Sequence, residues 1–205
     1  SFSPIQIDRL KENTFAAISI GGAGLSRFIL VDEEEEIRSK EGELPEKESE
    51  AISDDAHAFA YWGRITTNPK ANKVAIGTNY AGIMQVYDCS TDKAELIKEH
   101  NLFLADYKES GGYFDINPQT RWGYLSMDSN DTYIFALYSG LNQVENPDGS
   151  FTKSNMIHVF DWDGNPVARL ITDKQLSHIC VDESTLYGYD TEIGDIVAVT
   201  IKGVL

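Results

Sequence analysis

WGYLSMDSND (122–131), TYIFALYSG (132–140), MIHVFDWDG (156–164) and NPVARLITD (165–173) follow one another as short apolar runs separated by turn residues. The runs are too short for helices and rich in Ile, Val, Tyr, Phe and Thr, which favour a pleated, half-buried backbone. Their order is an inner strand, a turn, a second apolar strand, a third strand ending in Asp, and a more polar fourth strand.

The same order appears three more times. Upstream it reads PIQIDRLKEN, TFAAISIG, SRFILVDEE and EIRSKEGE, then YWGRITTNP, KVAIGTNY, IMQVYDCST and AELIKEH. Downstream it reads LSHICVDES, TLYGYDTEIG and DIVAVTIKG. Asp32, Asp88 and Asp161 each end a third strand, where an Asp side chain bonds its own backbone two residues on and favours a turn. The second strands TFAAISI, KVAIG and TYIFALY are apolar almost throughout, which argues cover on both faces, whereas a strand with one wet face alternates. Fourth strands such as AELIKEH turn polar, as an outer rim should. The pattern predicts an all-β fold: one β-propeller domain over 1–205, with about four antiparallel four-stranded blades near 5–45, 58–101, 120–174 and 175–205. A β-sandwich also gives short strands with turn signals but need not repeat aligned turn residues. Only residues 46–60 leave room for a helix.

Three segments interrupt the repeats. Residues 33–55 are an acidic stretch, and 33–50 alone hold nine Glu against Arg38, Lys40 and Lys47. Like charges with no apolar anchor predict a solvated fourth strand followed by a mobile acidic loop. Residues 102–121 exceed an ordinary loop, so they are functional or structured. Residues 142–155 carry the turn signal Pro147-Asp148-Gly149 and predict an extended hairpin.

The formal net charge is −16. An acidic surface repels phosphate backbones and anionic headgroups, so nucleic acid and bare membrane are poor partners. No apolar run approaches the length of a transmembrane helix. The chain opens on SFSPIQIDRL without an initiator Met, so the absence of a signal peptide says little about compartment. Cys89 and Cys180 lie in apolar stretches and are expected to be buried small hydrophobes rather than a bridge.

Motifs for catalysis, metal or cofactor are not apparent. DWDGN (161–165) has an EF-hand flavour, but Gly164 falls too early and no Glu closes a loop, so a hairpin turn explains it better. The Gly-rich GGAGLS (21–26) lacks the P-loop lysine and a following helix. The histidines form no metal-binding spacing; His158 is expected to pack inside its strand, and a place facing a central channel is the less favoured of the readings for His178. The aromatic starts of two inner strands, Tyr61-Trp62-Gly63-Arg64 and Arg121-Trp122-Gly123-Tyr124, either pack as core between blades or line the mouth of the channel, where they are candidates for ligand binding. Trp and Arg are enriched at binding hot spots. The weak candidate set is therefore Tyr61, Trp62, Arg64, Arg121, Trp122 and His178, with neither catalytic nor metal residues and no cofactor.

The stretch MIHVFDWDGNPVARLITDKQLSHICVDESTLYGYD, with Phe160-Asp161, Gly164 and Val181-Asp182, resembles the closing blades of TolB-like six-bladed propellers common in Bacteroidetes. The resemblance is closest over 145–195. It implies a secreted or lipid-anchored envelope protein, periplasmic or extracellular. It also implies a longer parent, with two blades and an export signal ahead of this segment. It supplies no reaction. The leading functional expectation is a non-catalytic binding or scaffold module recognising a protein, peptide or glycan. The rival is a hydrolase or lyase at the channel mouth, which needs two or more of His57, Asp115, Arg121 and His178 to converge. The fourth copy has no fourth strand after DIVAVTIKG, leaving an apolar edge prone to pairing. Residues 2–8 or a second copy of the chain are expected to cover it.

Overall fold

The computed structural model describes residues 3–20, 24–110 and 113–201. β1 (Ser3–Lys11), β2 (Thr14–Ile20), β3 (Ser26–Val31) and β4 (Ile37–Glu43) form the first antiparallel sheet in sequence order. A short helix α1 (Asp54–Ala60) follows. Then come β5 (Gly63–Asn68), β6 (Lys73–Thr78), β7 (Ile83–Asp88) and β8 (Glu95–Asn101), again in sequence order. A small hairpin, β9 (Tyr107–Ser110) and β10 (Tyr113–Ile116), precedes β11 (Tyr124–Ser129), β12 (Tyr133–Tyr138), β13 (Ser154–Asp161), β14 (Pro166–Asp182), β15 (Thr185–Asp190) and β16 (Asp195–Thr200). These last six are one hydrogen-bonded sheet because β14 serves twice. Its first half is the outer strand on β13, and its second half is the inner strand on β15, with Leu176 paired to both Ser154 and Asp190. The result is the predicted all-β propeller architecture of four antiparallel repeats, with one seven-residue α-helix among the described residues.

Neighbouring repeats pack face to face. Leu10, Ala16, Ile18, Phe28 and Leu30 meet Ile65, Val74, Ile76 and Tyr87. Ala75, Met84 and Val86 meet Tyr124, Met127, Ile134 and Phe160. Leu125, Phe135, Leu137, Ile157 and Val159 meet Leu176, Ile179 and Leu186. This is why β6 and β12 are apolar on both faces while β15 alternates. One face of β15 looks at the third repeat. The other, with Tyr187 and Tyr189, is exposed.

Polar ties join the inner strands. The Gln6 side chain donates to the Ile65 carbonyl and accepts the Ile65 N–H, and Asp8 accepts the Thr67 N–H. Ser126 and Asp128 repeat the device on the last pair of repeats, meeting Ile179 and Val181. Between the second and third repeats Thr66 bonds Ser129 and Asn68 donates to the Asp131 carbonyl.

Four expectations are corrected. First, residues 3–11 do not cover the last edge. They form the first inner strand, hydrogen-bonded to β2 and tied to β5 by Gln6 and Asp8, and β16 pairs only with β15 among the described strands. Second, Cys180 is exposed, because Ile179 and Val181 take the inward positions beside it; Cys89 is buried as expected. Third, the acidic segment is anchored: Leu44 and Ile52 pack on the aromatic core, Lys47 pairs with Asp54, and Glu41 is buried and accepts the Ala94 N–H. Fourth, residues 142–155 do turn at Asn146–Gly149 between the antiparallel β12 and β13, but the pairing of the two strands does not extend into the segment. Buried Asn142 accepts the Glu145 N–H, and a 3-10 turn (Ser150–Thr152) places Phe151 on Trp122. Residues 102–121, in contrast, are structured, as the β9–β10 hairpin. In the GGAGLS loop, residues 21–23 lie outside the described part of the chain, and Gly24 takes a positive φ of 62° in a turn.

Candidate functional site

The Trp-Gly pairs at the starts of two inner strands have a backbone reason. A Cβ on Gly63 would sit 2.0 Å from the Gly77 carbonyl oxygen, and one on Gly123 would sit 1.9 Å from that of Ala81. Only glycine lets these backbones pass. The approach is sealed by hydrogen bonds from the Gly123 N–H to the Asn79 carbonyl (2.6 Å) and from the Asn79 N–H to the Trp62 carbonyl (3.0 Å).

The two indoles are thereby brought to one aromatic cluster. Tyr80 lies between them, 6.3 Å from Trp62 and 5.0 Å from Trp122, ring to ring. Phe59 from α1 and Phe114 from β10 extend the cluster beside Trp62 and Tyr80. Tyr61 is buried, edge-on to His57 and Tyr107. Trp62 and Trp122 remain partly exposed. The Trp62 Nε1–H is buried without a hydrogen bond of normal geometry, although it faces the Tyr80 hydroxyl closely enough to favour its ionised form; burial still pushes the Tyr80 phenol up.

Arg64 lies over Trp62, its guanidinium carbon 5.5 Å from the ring centroid, a cation–π geometry. Its Nε donates to the Leu125 carbonyl at 2.8 Å. Burial lowers its pKa, partly opposed by Tyr80. Arg121 turns away, donating to the Gly140 carbonyl and pairing with Glu145. His178 is exposed on β14 and bonds its neighbour Ser177. Tyr61, Trp62, Arg64 and Trp122 thus share one region, whereas Arg121 is engaged by the 140–145 loop and His178 lies on the fourth repeat.

His57 is closed into the structure. Its Nε2 donates to the Pro45 carbonyl (2.7 Å), which fixes the proton there, so Nδ1 accepts from the Tyr107 hydroxyl (2.6 Å). Burial lowers its pKa and pushes the Tyr107 phenol up to about 12. Among the described residues no hydrogen bond joins any two of His57, Asp115, Arg121 and His178. No three His, Cys, Asp or Glu side chains gather as metal ligands among the described residues.

Arg27 was not singled out by the sequence pattern. Lodged in the apolar run SRFILV, it is 4% exposed. It donates through Nε to Gln85 (2.7 Å), through Nη2 to Thr78 (2.8 Å) and through Nη1 to the Tyr61 carbonyl. Gln85 in turn donates to Glu99. A charged residue within a β run is the signal for such a cross-repeat clamp. Tyr80, Tyr107 and Phe114 were also missed, because they join the cluster from loops and a hairpin far away in sequence.

Repeated four-stranded sheets around polar inner strands define a propeller-class protein. The chain belongs to the TolB-like 6-blade propeller-like family, whose profile matches residues 2–184. No curated protein matches it. Its fold is similar to that of Kuenenia stuttgartiensis hydrazine synthase, with a TM-score of 0.59 and 12% identity over 97% of this chain and 46% of that one. BamB from Moraxella catarrhalis aligns with a TM-score of 0.52 and 13% identity over 92% of this chain and 40% of that one. Saccharomyces cerevisiae Sqt1 aligns with a TM-score of 0.50 and 10% identity over 94% and 44%. The chain spans less than half the length of these structures, and at such identities the likeness concerns the fold alone.

Proposed function

We propose that the protein is a non-catalytic binding module of the bacterial envelope, periplasmic or extracellular, that captures a protein, peptide or glycan on the aromatic end of its inner strands. The observation that carries this reading is the convergence of Trp62, Trp122, Tyr80 and Arg64, with both indoles and the guanidinium partly exposed. Large rings with a polar handle supply contact area at low entropic cost, and Arg adds directional donors. The envelope location rests on the family resemblance. The enzyme alternative lacks support from the separate engagements of His57, Arg121 and His178. A peptide and glycan array on the full chain tests the proposal. Binders are expected whose signal drops about tenfold or more in Trp62→Ala or Trp122→Ala. Binders indifferent to both substitutions would move the site elsewhere.

A further inference from the structure

We propose that Arg64 is a carboxylate-binding group and that its ligand is the free C-terminus of a neutral or basic peptide; this rests on the binding-module reading above. Arg64 is half-buried and spends only Nε on the protein, on the Leu125 carbonyl. No carboxylate pairs with it among the described residues, and both Nη atoms are without hydrogen bonds. Arg9 also spends only Nε, on the Lys11 carbonyl, but is exposed; three other arginines are fully engaged or paired. Arg27 uses all three nitrogens, Arg38 pairs with Asp32, and Arg121 pairs with Glu145. A half-buried guanidinium without a counter-charge carries part of the cost of desolvation, and its open fork matches a carboxylate in two parallel hydrogen bonds.

Two further polar groups belong to Trp62, the ring under Arg64, and to the residue bonded to its backbone. The Trp62 Nε1–H, on the ring that Arg64 covers, is buried and faces the Tyr80 hydroxyl without a hydrogen bond of normal geometry. Asn79, only 2% exposed and bonded to Trp62 through its backbone, has a buried Oδ1 with no donor. Donors for a carboxylate together with one acceptor match a terminal carboxylate followed by an amide N–H. The net charge of −16 selects among carboxylate sources. It repels a polyuronate, which carries a charge on every sugar, far more than a peptide bearing one.

The test titrates the full chain with a random pool of acetylated pentapeptides bearing free C-termini, with the same pool amidated, and with oligoglucuronate. The acid pool is expected to bind, the amide pool to bind about tenfold or more weakly, and Arg64→Gln to lose the same factor. Arg64→Lys keeps the charge without the fork; it guards against a misfolded Gln variant and is expected to bind weakly with an unchanged circular dichroism melt. Equal binding of the acid and amide pools overturns the proposal, as does binding of neither pool or preference for oligoglucuronate. A ligand sensitive to Trp62→Ala but indifferent to Arg64→Gln removes this proposal and leaves the binding module standing.

Discussion

Asp32, Asp88 and Asp161 each accept, at Oδ1, the backbone N–H two residues on, at 3.0, 2.7 and 2.9 Å. The Asp32 carboxyl is held below the usual range chiefly by the Glu36 N–H, and that of Asp88 by the Ser90 hydroxyl and N–H; at Asp161 burial is outweighed by the bonds from Asn165 and Asp163. This was legible in the sequence because the interaction is local: one side chain, two residues, one turn. The buried histidines were legible only in part. The strand position of His158 forecast its packing, stacked 4.5 Å from Tyr138. The tie of His57 to Pro45 and Tyr107 involves distant residues that no pattern marks. Burial lowers both pKa values below the ordinary 6.5; for His158 the Arg169 charge adds to it. The neutral forms are therefore favoured by folding. The stability they confer is complete above pH 6.5 and is lost as pH falls from there through the lowered folded values. Thermal melts are expected to drop between pH 6.5 and about 5, with a shallower slope in a His57→Gln/His158→Gln double variant. Identical slopes would exclude both groups.

At the scale of the elements, alternation separates covered strands from open ones. KVAIGT is buried along β6, and TLYGYD alternates along β15 because its outer face meets no sheet among the described residues. Strand type and order were legible for this reason: period and burial are written together in each run. The connections were not. Residues 142–155 looked like an extended hairpin by their Pro-Asp-Gly signal, but Asn142 and Phe151 draw the segment onto the cluster through contacts no local rule encodes. The inner-strand ties lie between these extremes. Gln6-x-Asp8, Thr66-x-Asn68 and Ser126-x-Asp128 repeat a polar pair two residues apart, a visible signal whose partners only the fold reveals. Ser126→Ala leaves the Ile179 N–H buried without an acceptor and is expected to cost about 1–3 kcal/mol in denaturant unfolding. A change near zero would mean the Ser126 tie contributes nothing.

For the whole molecule, four stacked repeats leave the outer face and edge of the last one uncovered among the described residues. His178, Tyr189 and Ile196 lie in register across it, as do Cys180, Tyr187 and Ala198. Ile196 is 68% and Val199 45% exposed. An open apolar strand invites pairing, and we propose self-association through β16. Sedimentation is expected to show concentration-dependent dimers that Ile196→Lys weakens, and a strict monomer at all concentrations would contradict it. The other feature of the molecule is the aromatic end set by the Trp-Gly pairs and Arg64, proposed as the binding site. Hydrogen–deuterium exchange of the full chain, with and without the strongest binder from the peptide and glycan array, tests it most directly. Protection is expected at residues 61–64, 79–82 and 121–124, whose backbones meet at the cluster. Protection confined to β16, or to the cleft between His100 and Arg169, would contradict the account.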